Sequence, residues 1–424
     1  MTQPTRRAKQ RAFCVASLPE GENLDELREL LLTAGVEVVG EMIQRRDAPH
    51  PNTYLGPGKV TEAKAAAKVC DANVIVCDDE LSARQERNLE QELGMPVVDR
   101  TTVILDIFAT HASSAEGKLQ VELAQLEYNL ARMRGLWTHL ERLGGGIGTR
   151  GPGETQIETD RRLARNRIAA LRRRLEHVKG TRSVMRAERE RAALPSVALA
   201  GYTNAGKSTL LNALTGSEVP VRDRLFHTLD PSTRMLRIDG RPHLLTDTVG
   251  FIRKLPHQLV DSFGATLEET RRTDLLLHVI DASAGEHDRE AMRVAVEQVL
   301  EEIGAGERPR VLVLNKADLL DADERQELRL RHPEALLVSG ASGEGLTDLE
   351  GRIERELRHT LRPMDLLVPY TQGGSLAELH DVAGDLRRQD TPEGVRVRAL
   401  VPAQLAERFA RFSVAQADLA SSRV

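Results

Sequence analysis

An eight-residue segment, Gly201-Tyr-Thr-Asn-Ala-Gly-Lys-Ser208, constrains the fold of this chain more than any other feature. It has the spacing G-x-x-x-x-G-K-S, and it lies between an apolar stretch at 197–200 and a helical pattern at 209–214. Phosphate oxygens need several converging N–H donors, and Gly201 and Gly206 let the backbone turn close enough to supply them. The N-terminus of the following helix adds a favourable dipole. The segment therefore predicts a phosphate-binding P-loop in a doubly wound, mostly parallel α/β domain.

The segment Asn315-Lys-Ala-Asp318, which follows the apolar stretch 311–314, indicates which base is bound. The Asp318 carboxylate can accept hydrogen bonds from guanine N1–H and N2–H₂, whereas adenine has neither donor at those positions. A carboxylate left unpaired in a buried site is costly, so the segment favours GTP over ATP. Asn315 is expected to bond the other side of the base, and the Lys316 stem is expected to pack against its ring.

Between these two segments, the stretch Leu244-Leu-Thr-Asp-Thr-Val-Gly250 carries a D-x-x-G pattern. Asp247 is expected to hold Mg²⁺ through water, and the Gly250 N–H is expected to sense the γ-phosphate. Many GTPases place a glutamine after this glycine to orient the attacking water. The residue here is Phe251, which cannot hydrogen-bond water. We therefore predict slow intrinsic hydrolysis that a partner stimulates.

The predicted metal ligands come from the P-loop and from the segment 225–233, where the first switch of a GTPase is expected. Lys207 can reach the β- and γ-phosphates, Ser208 can bind Mg²⁺, and Thr228 is the candidate for the second hydroxyl ligand. Thr233 is the rival for that second position. The residues assigned to catalysis are Lys207, Thr228 and Gly250.

The predicted nucleotide contacts extend over the P-loop, the first switch, the D-x-x-G segment and two base-binding loops. The members at the phosphate end are Gly201, Tyr202, Thr203, Asn204, Ala205, Gly206, Lys207, Ser208, Thr209, Phe226, Thr228, Asp247, Thr248, Val249 and Gly250. The members at the base end are Asn315, Lys316, Asp318, Ser339, Gly340 and Ala341. Asn204 has two interpretations: it helps to hold K⁺ beside the phosphates, in place of an arginine finger, or it only caps a turn.

Four domains are predicted from the alternation of apolar stretches and helical patterns. They are 1–112 (small α/β domain), 113–193 (helical hairpin with a glycine-rich loop), 194–362 (GTPase domain) and 363–424 (small α/β unit). In the first domain, strands are predicted at 13–18, 36–39, 74–77 and 96–98, with helices at 23–34, 59–71 and 82–93. Leucines at helical spacing predict the hairpin helices at 118–143 and 154–192. Strands at 365–368 and 395–401 are predicted in the last unit.

The segment 144–162, which reads GGGIGTRGPGETQIETDRR, is the most unusual part of the chain. It contains no G-K-S/T and follows a helix, so it fits neither a second P-loop nor a dinucleotide-binding fingerprint. The basic residues within and after it are Arg161, Arg162, Arg165, Arg167, Arg172, Arg173, Arg174, Lys179, Arg182 and Arg186. Two interpretations stay open: the basic face contacts RNA phosphates in a salt-dependent way, or it is a solvated face with intrahelical ion pairs.

Together these residues resemble the HflX family of translational GTPases, and the resemblance covers residues 11–365. The family hallmark GGGxGxRGPGExxxExDRR matches residues 144–162 throughout, and the stretches 226–234, 247–251 and 52–60 are also similar. The resemblance implies binding to the large (50S) ribosomal subunit and splitting of stalled or idle 70S ribosomes in the GTP-bound state. It also implies that the glycine-rich loop approaches rRNA at the peptidyl-transferase region and that the ribosome stimulates hydrolysis.

One departure from the family is Ser339-Gly-Ala341, where Ser-Ala-Lys is common. Two other functions stay open: a GTPase of ribosome assembly or tRNA modification, and a signalling switch with a protein effector. The net charge of -5 argues against a uniformly basic nucleic-acid coat. No apolar run approaches the ~20 residues of a membrane span, and Cys14, Cys70 and Cys77 fit neither a zinc site nor a disulfide framework. We expect a monomeric cytoplasmic protein.

Overall fold

The computed structural model describes residues 10–133, 152–191, 194–217, 225–226, 231–254 and 264–414. The chain divides into two compact units. The first takes its residues from 1–179, 222–230 and 252–265, and the second takes its residues from 180–221, 231–251 and 266–424. The glycine-rich loop up to Gly151 and the predicted metal ligand Thr228 lie outside the described residues.

A four-stranded parallel sheet, in the order β2-β1-β3-β4, is the centre of the first unit. Its strands are β1 (Arg11–Leu18), β2 (Glu37–Arg45), β3 (Val74–Cys77) and β4 (Val97–Asp99). Its helices are α1 (Asp25–Ala34), α2 (Pro57–Val69), α3 (Ala83–Leu93) and α4 (Arg100–His111). Phe13, Val15 and Ile75 lie in the core of this unit. The parallel sheet predicted from the alternating pattern is confirmed.

Two elements of the first unit differ from the prediction. Strand β2 continues to Arg45, past the predicted end at residue 39, because Gly40 is a close-packing residue and not a strand breaker. A Cβ at Gly40 would lie 2.8 Å from the Phe13 ring, so the absent side chain makes room for it. Helix α4 was not predicted at all. It buries residues such as Val103, Leu105 and Phe108 around most of its circumference, so its sequence has no polar stripe of helical period.

The predicted hairpin helices are α5 (Ala115–Arg132) and α6 (Pro152–Arg191). Leucines of α5, among them Leu119 and Leu123, pack against Ile168, Leu171 and Leu175 of α6. Helix α6 begins at Pro152, two residues before the predicted start at Glu154, since proline is well suited to the first turn of a helix. Although α6 has 40 residues, no helix in the described part of the chain is both long and apolar enough to cross a membrane.

A six-stranded sheet, in the order β10-β9-β8-β5-β7-β6, is the centre of the second unit. Its strands are β5 (Ser196–Gly201), β6 (Ser232–Ile238), β7 (Arg241–Asp247), β8 (Leu275–Asp281), β9 (Arg310–Asn315) and β10 (Leu336–Leu337). Its helices are α7 (Lys207–Thr215), α8 (Gly264–Arg272), α9 (Glu286–Glu302), α10 (Ala322–Arg331) and α11 (Leu346–Leu357). All neighbours are parallel except β6, which pairs antiparallel with β7 at the edge. The doubly wound, mostly parallel sheet is therefore confirmed, and it carries the carboxyl ends of β5, β7, β8 and β9 to one edge.

The second unit also contains a three-stranded antiparallel sheet, in the order β11-β13-β12. Its strands are β11 (Leu361–Val368), β12 (Gly384–Thr391) and β13 (Gly394–Pro402), and its helices are α12 (Gly373–Val382) and α13 (Ala403–Phe409). Both predicted strands of this part are present, but β12 was missed. It is an exposed edge strand rich in charged residues, so it lacks the apolar alternation from which strands are predicted.

Candidate functional site

The P-loop segment connects β5 to α7 as its sequence predicts. Gly206 has φ 83° and Asn204 has φ 61°, so both residues lie in the left-handed region that lets the loop turn tightly. A Cβ at Gly201 would clash with the carbonyl of Val279 on β8, and a Cβ at Gly206 would clash with the amide of Asn315. Gly201 is therefore required by close approach, and Gly206 is required by close approach as well as by the turn.

Lys207 is 6% exposed at the start of α7. Its ammonium donates to the Gly201 carbonyl at 3.0 Å and to the Tyr202 carbonyl at 2.7 Å, so it bridges the two ends of the loop. Burial lowers the pKa of Lys207 to about 8, although the nearby Asp247 carboxylate acts in the opposite direction. A buried cation held by neutral carbonyls is ready to exchange them for phosphate oxygens.

The carboxyl end of β7 places Asp247 next to Ser208. Asp247 is fully buried, and its Oδ2 accepts a hydrogen bond from the Ser208 hydroxyl at 2.6 Å. The next residue, Thr248, donates its hydroxyl to the Leu199 carbonyl at 2.6 Å and so ties the end of β7 to β5. A carboxylate and a hydroxyl in contact are the hard oxygen ligands that Mg²⁺ prefers, so these residues fit that ion.

The D-x-x-G segment continues from β7 along the P-loop. The Thr203 N–H donates to the Phe251 carbonyl at 2.7 Å, and the Phe251 N–H donates to the Gly201 carbonyl at 3.1 Å. Gly250 packs so tightly that a Cβ there would lie 3.0 Å from Lys207 Nζ. The structure thus brings the two predicted catalytic residues Lys207 and Gly250 together. Val249 and Phe251 on either side of Gly250 are both buried.

Asn315, at the carboxyl end of β9, braces two loops. Its amide donates to the Ala205 carbonyl at 2.9 Å, and its Oδ1 accepts from the Gly340 N–H at 3.0 Å. Asn315 is 2% exposed, so both of its polar groups are used inside the protein in this conformation. Its side chain links the P-loop to the loop at 339–341, which is a positioning role that the sequence did not indicate.

Asp318 lies in a short 3₁₀ turn after β9 and is exposed. The Ser339 hydroxyl donates to Asp318 Oδ1 at 2.5 Å and accepts from the backbone N–H groups of Ala341 and Ser342 at 3.2 and 3.0 Å. The carboxylate predicted to recognise guanine is therefore oriented by a buried serine. Sequence reasoning assigned Ser339 only to the base-binding loop and missed its hydroxyl.

A second missed residue is Asp281 at the carboxyl end of β8. Its carboxylate forms an ion pair with Lys316 Nζ at 2.6 Å, and Lys316 itself has φ 67°. The pair fixes the lysine whose stem was predicted to pack against the base. The signal was available, because an acidic residue follows the apolar run 275–280 at the edge where the other site residues lie.

The remaining described residues of the predicted site lie on α7, on β6 and in the loop at 339–341. Thr209 lies in the first turn of α7, and Gly340 approaches α7 so closely that a Cβ would lie 3.1 Å from the backbone of Leu210. Thr233 lies on β6, where its hydroxyl is 3.0 Å from that of Thr246. Thr228 is outside the described residues, so its predicted role stays a prediction.

Phe226, predicted to contact the nucleotide, is described only by its contacts within the first unit, so its predicted role stays a prediction. It belongs to the first unit, where it is 2% exposed and has φ 56°. Its ring packs edge to face against Phe108 of α4, with 4.6 Å between the centroids. In this conformation the ring is part of an apolar contact, because burying an aromatic side chain in this way is favourable and leaves it no open face.

Family models match three consecutive parts of this chain. Residues 21–109 match "GTP-binding GTPase N-terminal", residues 111–189 match "GTP-binding GTPase Middle Region", and residues 196–316 match "50S ribosome-binding GTPase". The last of these contains the P-loop, the D-x-x-G segment and Asn315.

Curated relatives extend the similarity over most of the chain. GTPase HflX of Caldanaerobacter subterraneus subsp. tengcongensis is 47% identical over 412 residues, which cover 96% of this chain and 95% of the relative. GTPase HflX of Escherichia coli strain K12 is 49% identical over 354 residues, covering 80% of this chain and 82% of the relative. A solved GTP-binding protein of Sulfolobus solfataricus in complex with GDP is 27% identical, with a TM-score of 0.42, and covers 82% of this chain and 99% of that one.

Proposed function

Because this chain belongs to the HflX family of GTPases and hydrolyses GTP, we propose that it binds the large (50S) ribosomal subunit and splits or rescues 70S ribosomes. In this proposal the GTP-bound form binds the subunit, and contact with the ribosome stimulates hydrolysis. Phe251 in place of a water-orienting glutamine supports a slow intrinsic rate that a partner must raise. The rRNA is the part of the ribosome that the helical hairpin meets.

The observation that carries this proposal is the exposed arginine face of α6. Arg167 and Arg172 form ion pairs with Glu122 and Glu127 of α5, at 2.6 and 2.7 Å. Four further arginines are exposed and form no ion pair within the described residues: Arg162, Arg165, Arg173 and Arg174. Of the two interpretations left open by the sequence, this supports RNA contact, because unpaired guanidinium groups are available to phosphates.

The nucleotide site supplies the chemistry of the proposed cycle. We assign Lys207 to the β- and γ-phosphates and the Gly250 N–H to the γ-phosphate. Ser208 and Thr228 would ligate Mg²⁺, which neutralises charge on the β- and γ-phosphates, while Asp247 would hold the ion through water. Asp318, oriented by Ser339, would recognise guanine. K⁺ beside the exposed Asn204 remains part of the proposal.

We also retain the four predicted domains, 1–112, 113–193, 194–362 and 363–424, as functional parts of a monomeric cytoplasmic protein. The hairpin at 113–193 is the part assigned to rRNA, and the domain at 194–362 is the part assigned to GTP. A role in the cytoplasm follows from the proposed partner, because 70S ribosomes are found there.

Sedimentation tests the proposal directly. Purified 70S ribosomes are incubated with the full chain and either GDP or a non-hydrolysable GTP analogue, and then separated on sucrose gradients. We expect the chain to migrate with 50S subunits and the 70S peak to shrink with the analogue, but not with GDP. The absence of any shift would contradict the proposal. In gradients of a cell lysate, migration with precursor particles or tRNA would instead indicate an assembly or modification GTPase.

A charge-reversal pair tests the arginine face. Arg165→Glu with Arg173→Glu changes unpaired arginines, whereas Arg167→Glu with Arg172→Glu changes arginines that already face carboxylates. Each lost phosphate contact reduces the slope of log affinity against log salt by about 0.9. We expect the first pair to weaken 50S binding and flatten its salt dependence more than the second pair does. Unchanged 50S binding and unchanged salt dependence in the first pair would mean that this face does not contact rRNA.

Hydrolysis rates provide the last test. We expect the isolated chain to turn over GTP slowly and purified 50S subunits to accelerate it. A fast basal rate that Phe251→Ala leaves unchanged would contradict the predicted need for a partner. Turnover that is equal in KCl and NaCl would remove K⁺ from the proposal.

A further inference from the structure

Thr203, the third residue of the P-loop, has a hydroxyl group that no described contact explains. The residue is 6% exposed, and its Oγ1 has no hydrogen-bond partner within the described residues. Burying a hydroxyl without a partner costs free energy. Thr203 differs from other such groups because it lies in the phosphate-binding loop, where a bound ligand or its water can supply the missing hydrogen bond. The backbone N–H of Thr203, in contrast, has a hydrogen-bond partner, because it donates to the Phe251 carbonyl at 2.7 Å.

The side chain of Thr203 lies against the residues that mark the γ-phosphate. A Cβ at Gly250 would lie 2.8 Å from Thr203 Cγ2 and 3.0 Å from Lys207 Nζ, so the two side chains flank the same glycine. Both Lys207 and the Gly250 N–H belong to the γ-phosphate end of a GTPase site. A γ-phosphate bound by Lys207 and by the Gly250 N–H would therefore lie beside the Thr203 side chain.

Hydrolysis needs a polar group at this place. A water molecule must be held in line with the γ-phosphorus, and many GTPases use the glutamine that follows the D-x-x-G glycine. In this chain that position is Phe251, which is fully buried and has no polar side-chain atom. Thr203 and Phe251 are joined through their backbones by the hydrogen bond at 2.7 Å. Thr203 is thus hydrogen-bonded through its backbone to the position that lacks a glutamine, and its methyl carbon Cγ2 is the side-chain atom that lies toward Gly250.

We propose that the Thr203 hydroxyl is a catalytic residue of GTP hydrolysis and orients the attacking water. A threonine hydroxyl has one donor and two acceptor sites, so it can accept a hydrogen bond from the water and hold the water oxygen toward the γ-phosphorus. The water oxygen bonds to the γ-phosphorus, the bond from that phosphorus to the β-γ bridging oxygen breaks, and GDP leaves. The proton of the water passes to the phosphate that is released, so the hydroxyl is unchanged at the end of the reaction.

The test uses two substitutions of Thr203 in the full chain. Thr203→Val keeps the shape of the side chain and removes the hydroxyl, whereas Thr203→Ser keeps the hydroxyl and removes the methyl group. Loss of one hydrogen bond to a charged reacting group is expected to slow single-turnover hydrolysis of bound GTP by about 10- to 100-fold in Thr203→Val. Thr203→Ser is expected to stay within about threefold of the unmodified chain.

Thr270 provides a matched control. It is also a fully buried threonine of the second unit whose hydroxyl has no partner within the described residues, but it lies on α8 and not in the nucleotide site. Thr270→Val is expected to leave the single-turnover rate within about twofold of the unmodified chain. This control separates a specific role of Thr203 from the general effect of removing a buried hydroxyl.

Affinities for GDP and for a non-hydrolysable GTP analogue complete the test. The proposal expects both affinities of Thr203→Val to stay close to those of the unmodified chain, because an interaction with the attacking water contributes only to the reaction rate. Retained GDP binding also shows that the variant is folded.

An unchanged rate in Thr203→Val overturns the proposal, as does a rate in Thr203→Ser that is as low as in Thr203→Val. A selective loss of affinity for the GTP analogue would also overturn it, because the hydroxyl would then bind the ground-state phosphate. These rates belong to the isolated chain, so the outcome does not depend on ribosome binding.

Discussion

The two parallel sheets of this chain both carry polar side chains at the carboxyl ends of their strands, but they use them differently. In the first unit, Asp99 at the end of β4 is 2% exposed and accepts from the N–H groups of Leu81 and Thr102 at 3.0 and 2.9 Å. It also accepts from the Tyr128 hydroxyl and from Arg132. The carboxylate of Asp99 is therefore saturated by its own neighbours.

The same is true of the residues beside Asp99 in the first unit. Arg100 is 2% exposed and forms ion pairs with Asp78 at 2.8 Å and with Glu26 at 2.6 Å. Burial raises the pKa of Asp78, while Arg100 and then Lys254 lower it. Tyr54 donates to Asp79 at 2.5 Å and accepts from the Ser17 N–H at 3.1 Å. These strand ends form a closed network of charges that compensate one another.

In the second unit one strand-end residue, Asp281, is likewise ion-paired, with Lys316. The groups assigned to the phosphates and the base have other contacts: Lys207 donates to two carbonyls, Asp247 accepts from the Ser208 hydroxyl, and Asp318 is exposed. These hydrogen bonds are to neutral groups, unlike the ion pair that joins Arg100 and Asp78. We infer that polar residues at strand ends indicate a binding site only where their hydrogen bonds to the protein are weak enough to be replaced by bonds to a ligand.

The largest expected effect is in the candidate nucleotide site of the second unit, which we call the open site because its charged groups hydrogen-bond to neutral partners. Asp318→Ala removes a carboxylate that can accept two hydrogen bonds from guanine, so the affinity for GDP should fall by about 10³- to 10⁴-fold. Because Asp318 is exposed, the stability of the nucleotide-free protein should change little. Fluorescence titration with a labelled GDP and thermal unfolding measure both quantities. Retained guanine preference, or ATP bound as tightly as GTP by the unmodified chain, would contradict the assignment.

The next effect is in the closed network. Asp99→Ala removes the acceptor of the Tyr128 hydroxyl and of two backbone N–H groups, and it removes one partner of Arg132, which keeps Glu86. The free energy of unfolding should therefore fall by about 3–5 kcal/mol. Denaturation in urea, with hydrogen exchange of the β3 and β4 amides, locates the loss. The control is Asp25→Ala, which removes an exposed ion pair with Arg28 and should cost less than about 1 kcal/mol. A loss of similar size in both variants would show that the network is not closed.

The sequence predicts the open site better than the closed network. Gly201, Gly206 and Asp318 act through backbone geometry or through one well-defined ligand contact, and their spacing along the chain is short. The network around Asp99 joins residues such as Leu81 and Arg132 that are far apart in sequence and belong to no motif. Such contacts depend on how helices and strands pack, which residue spacing does not encode.

The same reason explains the individual misses within the candidate site. The Ser339 hydroxyl and Asp281 act on Asp318 and Lys316 across different loops, so only the folded chain brings them together. The contact of Phe226 with Phe108 also depends on the tertiary structure, so residue spacing does not indicate it, while the predicted role of Phe226 at the nucleotide stays a prediction. The overall fold was predictable because most strands and most helices have a recognisable apolar pattern. Helix α4 and strand β12 lack one, and they were missed.

Removing one hydroxyl group from the open site and one from the closed network tests whether the two are separate. Ser339→Ala removes the hydrogen bond that orients Asp318, so the affinity for GDP should fall by about tenfold. Tyr54→Phe removes a hydrogen bond to Asp79 in the closed network, so it should lower stability by about 1–2 kcal/mol and leave GDP affinity unchanged. Labelled-GDP titration and urea denaturation of both variants distinguish these outcomes. If Tyr54→Phe also weakens GDP binding, the two networks are not separate in function.

The smallest expected effect is a pH dependence of nucleotide binding at Lys207. Burial lowers the pKa of this ammonium to about 8 in the nucleotide-free protein, and bound phosphates will raise it because they favour the charged form. Below pH 8 the lysine is already protonated, so affinity is at its full value there. Above pH 8 binding must take up a proton, so affinity should fall by at most about tenfold per pH unit.

Calorimetry of GDP binding in two buffers of different ionisation enthalpy measures this proton uptake at pH 8.5, against a baseline at pH 6.5. Lys207→Ala should bind more weakly and show no uptake that depends on this residue. The carboxylates of the closed network give no such signal, because they exchange no partner when the nucleotide binds. Equal proton uptake by the unmodified chain and Lys207→Ala would mean that Lys207 is charged throughout. In that case the carbonyls of Gly201 and Tyr202 compensate the ammonium fully. The proposed difference between the two sheets would then not hold at Lys207.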